Sequence, residues 1–124
     1  MTRIVTDQGF ANDIWTDAVD VPSDATDADL ERIIAEDPPR IRVAFPSFAD
    51  GRGFTIARIL RKAGYRGGLR AAGHVLADQY AMARRSGFDD IEIDDELAAR
   101  QPQDQWLARA DWREGDYQAR LGRR

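Results

Sequence analysis

Two helix endings repeat one structural unit apart, Arg61-Lys62-Ala63-Gly64-Tyr65 and Arg84-Arg85-Ser86-Gly87-Phe88. Basic residues suit a last helical turn, whose unpaired carbonyls carry partial negative charge. Glycine supplies the left-handed backbone that ends the helix, and the aromatic ring seals the end against a core. Each ending is followed within a few residues by a short apolar run, at 69–72 and at 91–93. Ahead of them, Ile41, Val43 and Phe45 alternate across 40–45 as in a strand, with Ala44 small enough to be buried on the other side. Ile56, Ile59, Leu60 and Ala63 then give one apolar face to a helix over 54–63. A second helix is predicted over 75–86. Strands separated by helices of about ten residues and short loops pair in parallel through right-handed crossovers. The expected fold is therefore α/β: a small parallel β(41–45)–α–β(69–72)–α–β(91–93) sheet, flavodoxin-like or half-barrel-like in its winding.

The flanks read less regularly. Residues 3–6 form a short strand turning at Asp7-Gln8-Gly9, with Phe10 and Trp15 as the first apolar anchors. Residues 17–25 are Asp-rich, contain Pro22 and read as a loop. Thr26 and Asp29 have the spacing of a capping box, Leu30, Ile33 and Ile34 form a helix face behind it, and Pro38-Pro39 ends that helix. Residues 95–100 form another helix, broken at Pro102. Trp106, Leu107, Trp112, Tyr117 and Leu121 either clamp a tail onto the body or line a dimer interface, and 121–124 are expected to fray. At 124 residues the chain suits one domain, with its central units at 40–93 and a helical tail over 95–124.

Composition removes several chemistries. There is no cysteine, which excludes a disulfide framework, thiolate catalysis and a cysteine-ligated cluster or zinc site within this chain. The single histidine, His74, excludes a multi-histidine metal centre. No window approaches the roughly 20 apolar residues of a membrane span, and no secretory pattern opens the chain, so the expected setting is cytoplasmic with no membrane partner. The net charge is −4, with carboxylates crowding residues 1–37. Residues 51–77 instead form a basic island, carrying Arg52, Arg58, Arg61, Lys62, Arg66 and Arg70 without a carboxylate. Such an island suits a small anion, an acidic partner surface, or internal pairing with the acidic N-terminus. Aromatic residues are not interleaved with the basic ones, so nucleic acid is not an expected partner.

Ligands of parallel sheets bind beyond the C-terminal ends of the strands. Here that edge consists of 46–53, Gly73-His74 and Asp94-Asp95. Asp50, Gly51, Arg52 and Gly53 precede a helix, where free amides and a guanidinium favour an anion; alternatively Asp50 simply caps the helix. Arg70 is the further binding candidate. Catalytic candidates are Asp50, His74 as acid, base or anion donor (or as a capping histidine), and Asp78, placed to orient His74 or to pair with Arg70. Gly51-x-Gly53 is a poor dinucleotide fingerprint, since Ile56 holds the third glycine position and 46–50 separates the loop from its strand. Asp94, Asp95 and Glu96 read as an acidic helix start rather than a metal site. No cofactor is identifiable and no metal is expected.

The run Phe45-Pro46-x-Phe48-x-Asp50-Gly51-Arg52-Gly53, followed by Ala57-Arg58-x-Leu60-Arg61, Gly64-Tyr65, Leu69-Arg70-Ala71, Asp78-Gln79 and Arg85-x-Gly87-Phe88, resembles a bacterial domain-of-unknown-function family. Arg3-Ile4-Val5 and Asp13-x-Trp15 are similar to that family's usual opening, with the segment before the capping box shortened. His74 stands where the family usually has aspartate, and Ser86 where it has cysteine. Family members carry an oxidoreductase label and are encoded beside assimilatory sulfite-reduction genes. The resemblance therefore implies an accessory or oxidoreductase component of sulfate or sulfite reduction, binding a partner reductase or a small oxyanion. The residues alone leave two other readings open. One is a small enzyme acting on an anionic substrate at the strand ends. The other is a cofactor-free module that forms a homodimer, as three short strands leave sheet edges to cover.

Overall fold

The computed structural model describes residues 2–113. In chain order it contains β1 (Thr2–Thr6), β2 (Gly9–Ala11), β3 (Ala18–Val21), α1 (Asp27–Glu36), β4 (Arg40–Phe45), α2 (Arg52–Lys62) and β5 (Gly68–Gly73). A 3-10 turn (Ala77–Gln79), α3 (Tyr80–Ser86), β6 (Asp90–Asp94), α4 (Asp95–Arg100) and α5 (Gln103–Leu107) follow. All strands join one sheet in the order β2-β1-β6-β5-β4-β3.

The α/β class and the parallel β4–β5–β6 core are as expected, but the sheet has six strands and is mixed rather than purely parallel. β1 runs antiparallel to β6 and forms a hairpin with β2. Residues 18–21, expected in a loop, form parallel edge strand β3, with Val19 opposite Ile41 and Val21 opposite Val43. The Val-x-Val alternation was obscured by acidic neighbours, of which Asp20 is paired with Arg42, distant in sequence. The four parallel strands follow one another without a reversal of order, so the sheet has no switch point of the flavodoxin kind. The expected helix over 75–86 begins instead as the 3-10 turn at Ala77 and becomes α-helical at Tyr80.

The repeated endings are the same device in space. Gly64 and Gly87 take φ of +99° and +119°. The Tyr65 amide donates to Leu60 O at 3.0 Å and the Phe88 amide to Ala83 O at 3.1 Å, closing both helices with the same six-residue loop. Tyr65 and Phe88 are buried behind them. Thr26 and Asp29 form the expected capping box at α1. The tail aromatics within the described residues act as clamps: Trp106 is buried with its indole donating to Gln101 O, and Trp112 lies against Arg84. Tyr117, Leu121 and the terminal residues 121–124 lie outside the described residues.

Because side chains alternate across a strand, the sheet has two unlike faces. Ile41, Val43, Phe45, Leu69, Ala71, Ile91 and Ile93 join Phe54, Leu60, Tyr80 and Trp106 in one core on the helical side. The other face bears Asp20, Arg42, Ala44, Arg70, Ala72, Asp90 and Glu92, placed side by side by the strand register. A strap, residues 12–17, covers part of it. β2 and β3 are at opposite edges of the sheet, five interstrand steps or about 24 Å apart. The path from Ala11 to Ala18 reaches at most about 25 Å. The strap is therefore drawn almost straight across the sheet.

Candidate functional site

The Asp50–Gly53 loop does open α2 at the C-terminal end of β4, but Arg52, its charged donor, is engaged. Asp50 accepts from the Arg52 amide at 3.1 Å and takes the Arg52 fork through Nε at 2.9 Å and Nη2 at 2.7 Å. The Arg52 guanidinium holds the Asp50 carboxyl well below the usual carboxylate range. Arg52 also donates to Ser23 Oγ at 3.0 Å. Gly51 occupies the cap position, and Gly53 lies so close to the Phe45 ring that a side chain has no room there. An anion at this loop must share Arg52 with Asp50 or displace it.

Arg70 is elsewhere: its side chain leaves the opposite face of the sheet from α2, so Arg52 and Arg70 do not converge. Buried to 1% exposure, Arg70 grips Asp90 through Nε at 2.7 Å and Nη2 at 3.1 Å and reaches Asp13 at 2.9 Å. The Trp15 ring of the strap stacks on the guanidinium at 3.9 Å. Of the three roles open to the basic island, internal pairing with the acidic N-terminus is the one Arg70 fills. Arg61 donates to Gly87 O, Tyr65 O and Gly67 O and pairs with Asp89, tying the two repeated endings together.

His74 is exposed at the end of β5, with Nδ1 3.2 Å from Phe45 O and its ring edge-on to Phe48. Asp78 neither orients His74 nor pairs with Arg70; it pairs with Arg109 at 2.9 Å and is 81% exposed. Asp94 caps α4 by accepting from the Leu97 amide. Among the described residues no cluster of three or more potential ligands could hold a metal ion.

One concavity is built from residues outside the sequence-based candidates. A hollow of about 460 Å³ lies on the strap side of the sheet, floored by Ala44, Ala72 and Gly73 and walled by Asp20, Arg42 and Glu92. A smaller one of about 260 Å³ shares Gly73 and Glu92 and adds His74, Asp94, Glu96 and Arg100. Arg42 bridges its neighbours, Nη1 to Asp20 at 3.1 Å and Nη2 to Glu92 Oε2 at 2.6 Å. Glu92 Oε1 faces Arg70 Nη1 at 3.6 Å, beyond hydrogen-bond reach, and accepts no hydrogen bond. Glu92 thus lies between two arginines and links the walls of the hollow to the buried Arg70–Asp90 pair. Burial pushes the Asp90 carboxyl up although the Arg70 fork pulls it down. With Asp13, Asp20, Asp90 and Glu92 against Arg40, Arg42 and Arg70, this face is net acidic and set to receive donors rather than a free anion.

The family model described as "Bacterial protein of unknown function (DUF934)" matches residues 18–124. The chain belongs to that family. The match contains the parallel sheet, the helices and the hollow, whereas β1, β2 and the strap precede it, so the likeness of 3–15 to a family opening lies outside the matched region. Neither a curated protein nor a solved structure matches the chain. Within this DUF934 protein, no helix among the described residues is long and apolar enough to cross a membrane. The signal for the hollow was present in the sequence: Arg42, Arg70, Asp90 and Glu92 alternate with core residues in three successive strands, which puts all four on one face.

Proposed function

We propose that this DUF934 protein is a cytoplasmic accessory component of assimilatory sulfate or sulfite reduction that docks a partner reductase on the strap side of its sheet. The carrying observation is the hollow above Ala44 and Ala72, open on a sheet face that the helices leave uncovered. Its polar walls are held by the Arg42–Glu92–Arg70–Asp90 network, so a donor side chain from a partner meets fixed acceptors. The choice of partner rests on the resemblance described above, which implies a place beside sulfite-reduction genes. The oxidoreductase label fits a component whose partner carries the electrons, since this chain has no cysteine for thiol or cluster chemistry. The half-barrel-like winding of the parallel strands is consistent with this reading, because sequential crossovers place the helices on one face and leave the other for a partner.

The test is capture of the sulfite reductase by the tagged full chain from sulfate-grown cells, comparing wild type with Ala44→Trp. Ala44 is exposed and points away from the core, so filling the hollow leaves the fold intact and is expected to abolish capture. Equal capture by both proteins, or no capture by wild type, refutes the reading. A second reading, a small enzyme at the strand ends, is favoured by a hollow that brings His74 beside Glu92 and Arg100. It requires His74→Ala to remove an activity while leaving reductase capture unchanged.

A further inference from the structure

The two repeated helix endings meet at the N-terminal ends of β5 and β6, the opposite edge of the parallel strands from the hollow over Ala44. They border an open hollow of about 600 Å³. Four arginines line it, Arg61, Arg66, Arg84 and Arg113, against one carboxylate, Asp89. Helix C-termini present carbonyl oxygens, which repel an anion, so the charge that counts is what remains once those oxygens are answered. Arg61 donates to Tyr65 O, Gly67 O and Gly87 O and pairs with Asp89. Arg84 donates to Phe88 O and pairs with Asp7, which is not on the lining. These two side chains thus answer the loop carbonyls and two carboxylates. Arg66 and Arg113 are exposed, and neither has a hydrogen-bond or ion-pair partner among the described residues.

Both are nevertheless held in position. Arg61 Nη1 grips the carbonyls on either side of Arg66, at 3.0 and 2.9 Å, so the backbone bearing Arg66 is clasped while its guanidinium is not. The Arg113 guanidinium stacks on the Trp112 ring at 4.8 Å. Trp112 is itself fixed, its carbonyl accepting twice from Arg85 and its indole donating to Asp7. Two unpaired guanidinium forks, each with five donors and no acceptor, match the charge and the lone pairs of a tetrahedral dianion. We propose that this hollow binds a dianionic phosphate or sulfate group, held by Arg66 and Arg113. The hollow has room for an ester carrying that group as well as for the free ion, and the Trp112 ring lines the space beside it. The site is at the other end of the strands from the proposed reductase-docking hollow and does not depend on that reading.

Isothermal titration calorimetry tests the site, with inorganic phosphate, inorganic sulfate and phenyl phosphate added to the full chain at about pH 8 and constant ionic strength. Saturable binding with Kd of about 1 mM or tighter is expected for at least one of the three. Tighter binding of phenyl phosphate than of inorganic phosphate assigns the site to an ester, and equal affinity assigns it to the free ion; either result supports the proposal. Arg66→Ala/Arg113→Ala is expected to weaken binding at least about ten-fold with circular dichroism unchanged, since neither side chain is paired. Arg58→Ala/Lys62→Ala removes the same charge from exposed positions of α2 outside the hollow, and is expected to change affinity less than about two-fold. Absence of saturable binding for all three probes up to about 10 mM overturns the proposal. So does an affinity unmoved by Arg66→Ala/Arg113→Ala, or an equal loss in both double variants, which is diffuse attraction to a basic surface.

Discussion

Replacing Arg70 with methionine separates a structural role from a binding role for this residue. Methionine keeps much of the buried volume but removes all five donors, stranding Asp90 and loosening Asp13 and Glu92. Removing one member of a buried pair costs about 3–5 kcal/mol, and losing the stack under Trp15 adds about 0.5–2 kcal/mol. Against a total stability of about 5–15 kcal/mol, Arg70→Met should fold only marginally. Urea denaturation should show a large drop in midpoint. Arg70→Met/Asp90→Asn should recover about 2 kcal/mol or more, since the second change removes the stranded charge. There is also a pH signature. With Arg70 gone, burial and the neighbouring Asp89 and Asp13 charges all act upward on Asp90, so its folded pKa rises further above the unfolded value, and the deficit should shrink as pH falls from 7 towards 5. A loss under about 1 kcal/mol, or a double variant no better than the single, refutes the view that this arginine is a structural staple.

Two further outcomes are expected. Gly73→Ala should destabilise by about 1–3 kcal/mol in the same assay, because Gly73 has φ of +123° and a Cβ there would meet the Phe45 carbonyl oxygen at 2.5 Å. Asp7→Asn should flatten acid unfolding. Burial raises the Asp7 carboxyl, but bonds from Tyr80, Arg84 and Trp112 outweigh it and hold the group below its ordinary value. The stability it contributes is complete above the unfolded aspartate pKa of about 3.9 and disappears as pH falls through the lower folded value. The variant should therefore be weaker at pH 7, yet lose less between about pH 4 and 2 than wild type.

Legibility in the sequence tracked the distance over which each choice was decided. The endings at Gly64 and Gly87, the capping box at Thr26 and the alternation of Ile41, Val43 and Phe45 are local, and each appears where its residues imply. β3 was missed because Asp20 is a plausible loop residue until Arg42, twenty-two positions later, is known to pair with it. Asp50 and Arg52 were correctly located at a strand end, but a short-range contact between them occupies the guanidinium that suggested an anion. Arg70 and Asp78 were assigned partners by proximity in sequence, whereas Asp90, Asp13 and Arg109 reach them through the register of the sheet and the path of the tail. The hollow needed a different question of the same alternation: what the strands present on the side away from the core.

Strand β1 has no lasting place until β6 exists. Thr2 aligns with Asp94, so the β1–β2 hairpin must wait unattached until the roughly ninety residues that lead to β6 have been made. Pairing across such a separation is among the slowest closures a small domain makes. The amino-terminal hairpin should accordingly dock late, on a parallel sheet already assembled from the segment that defines the family.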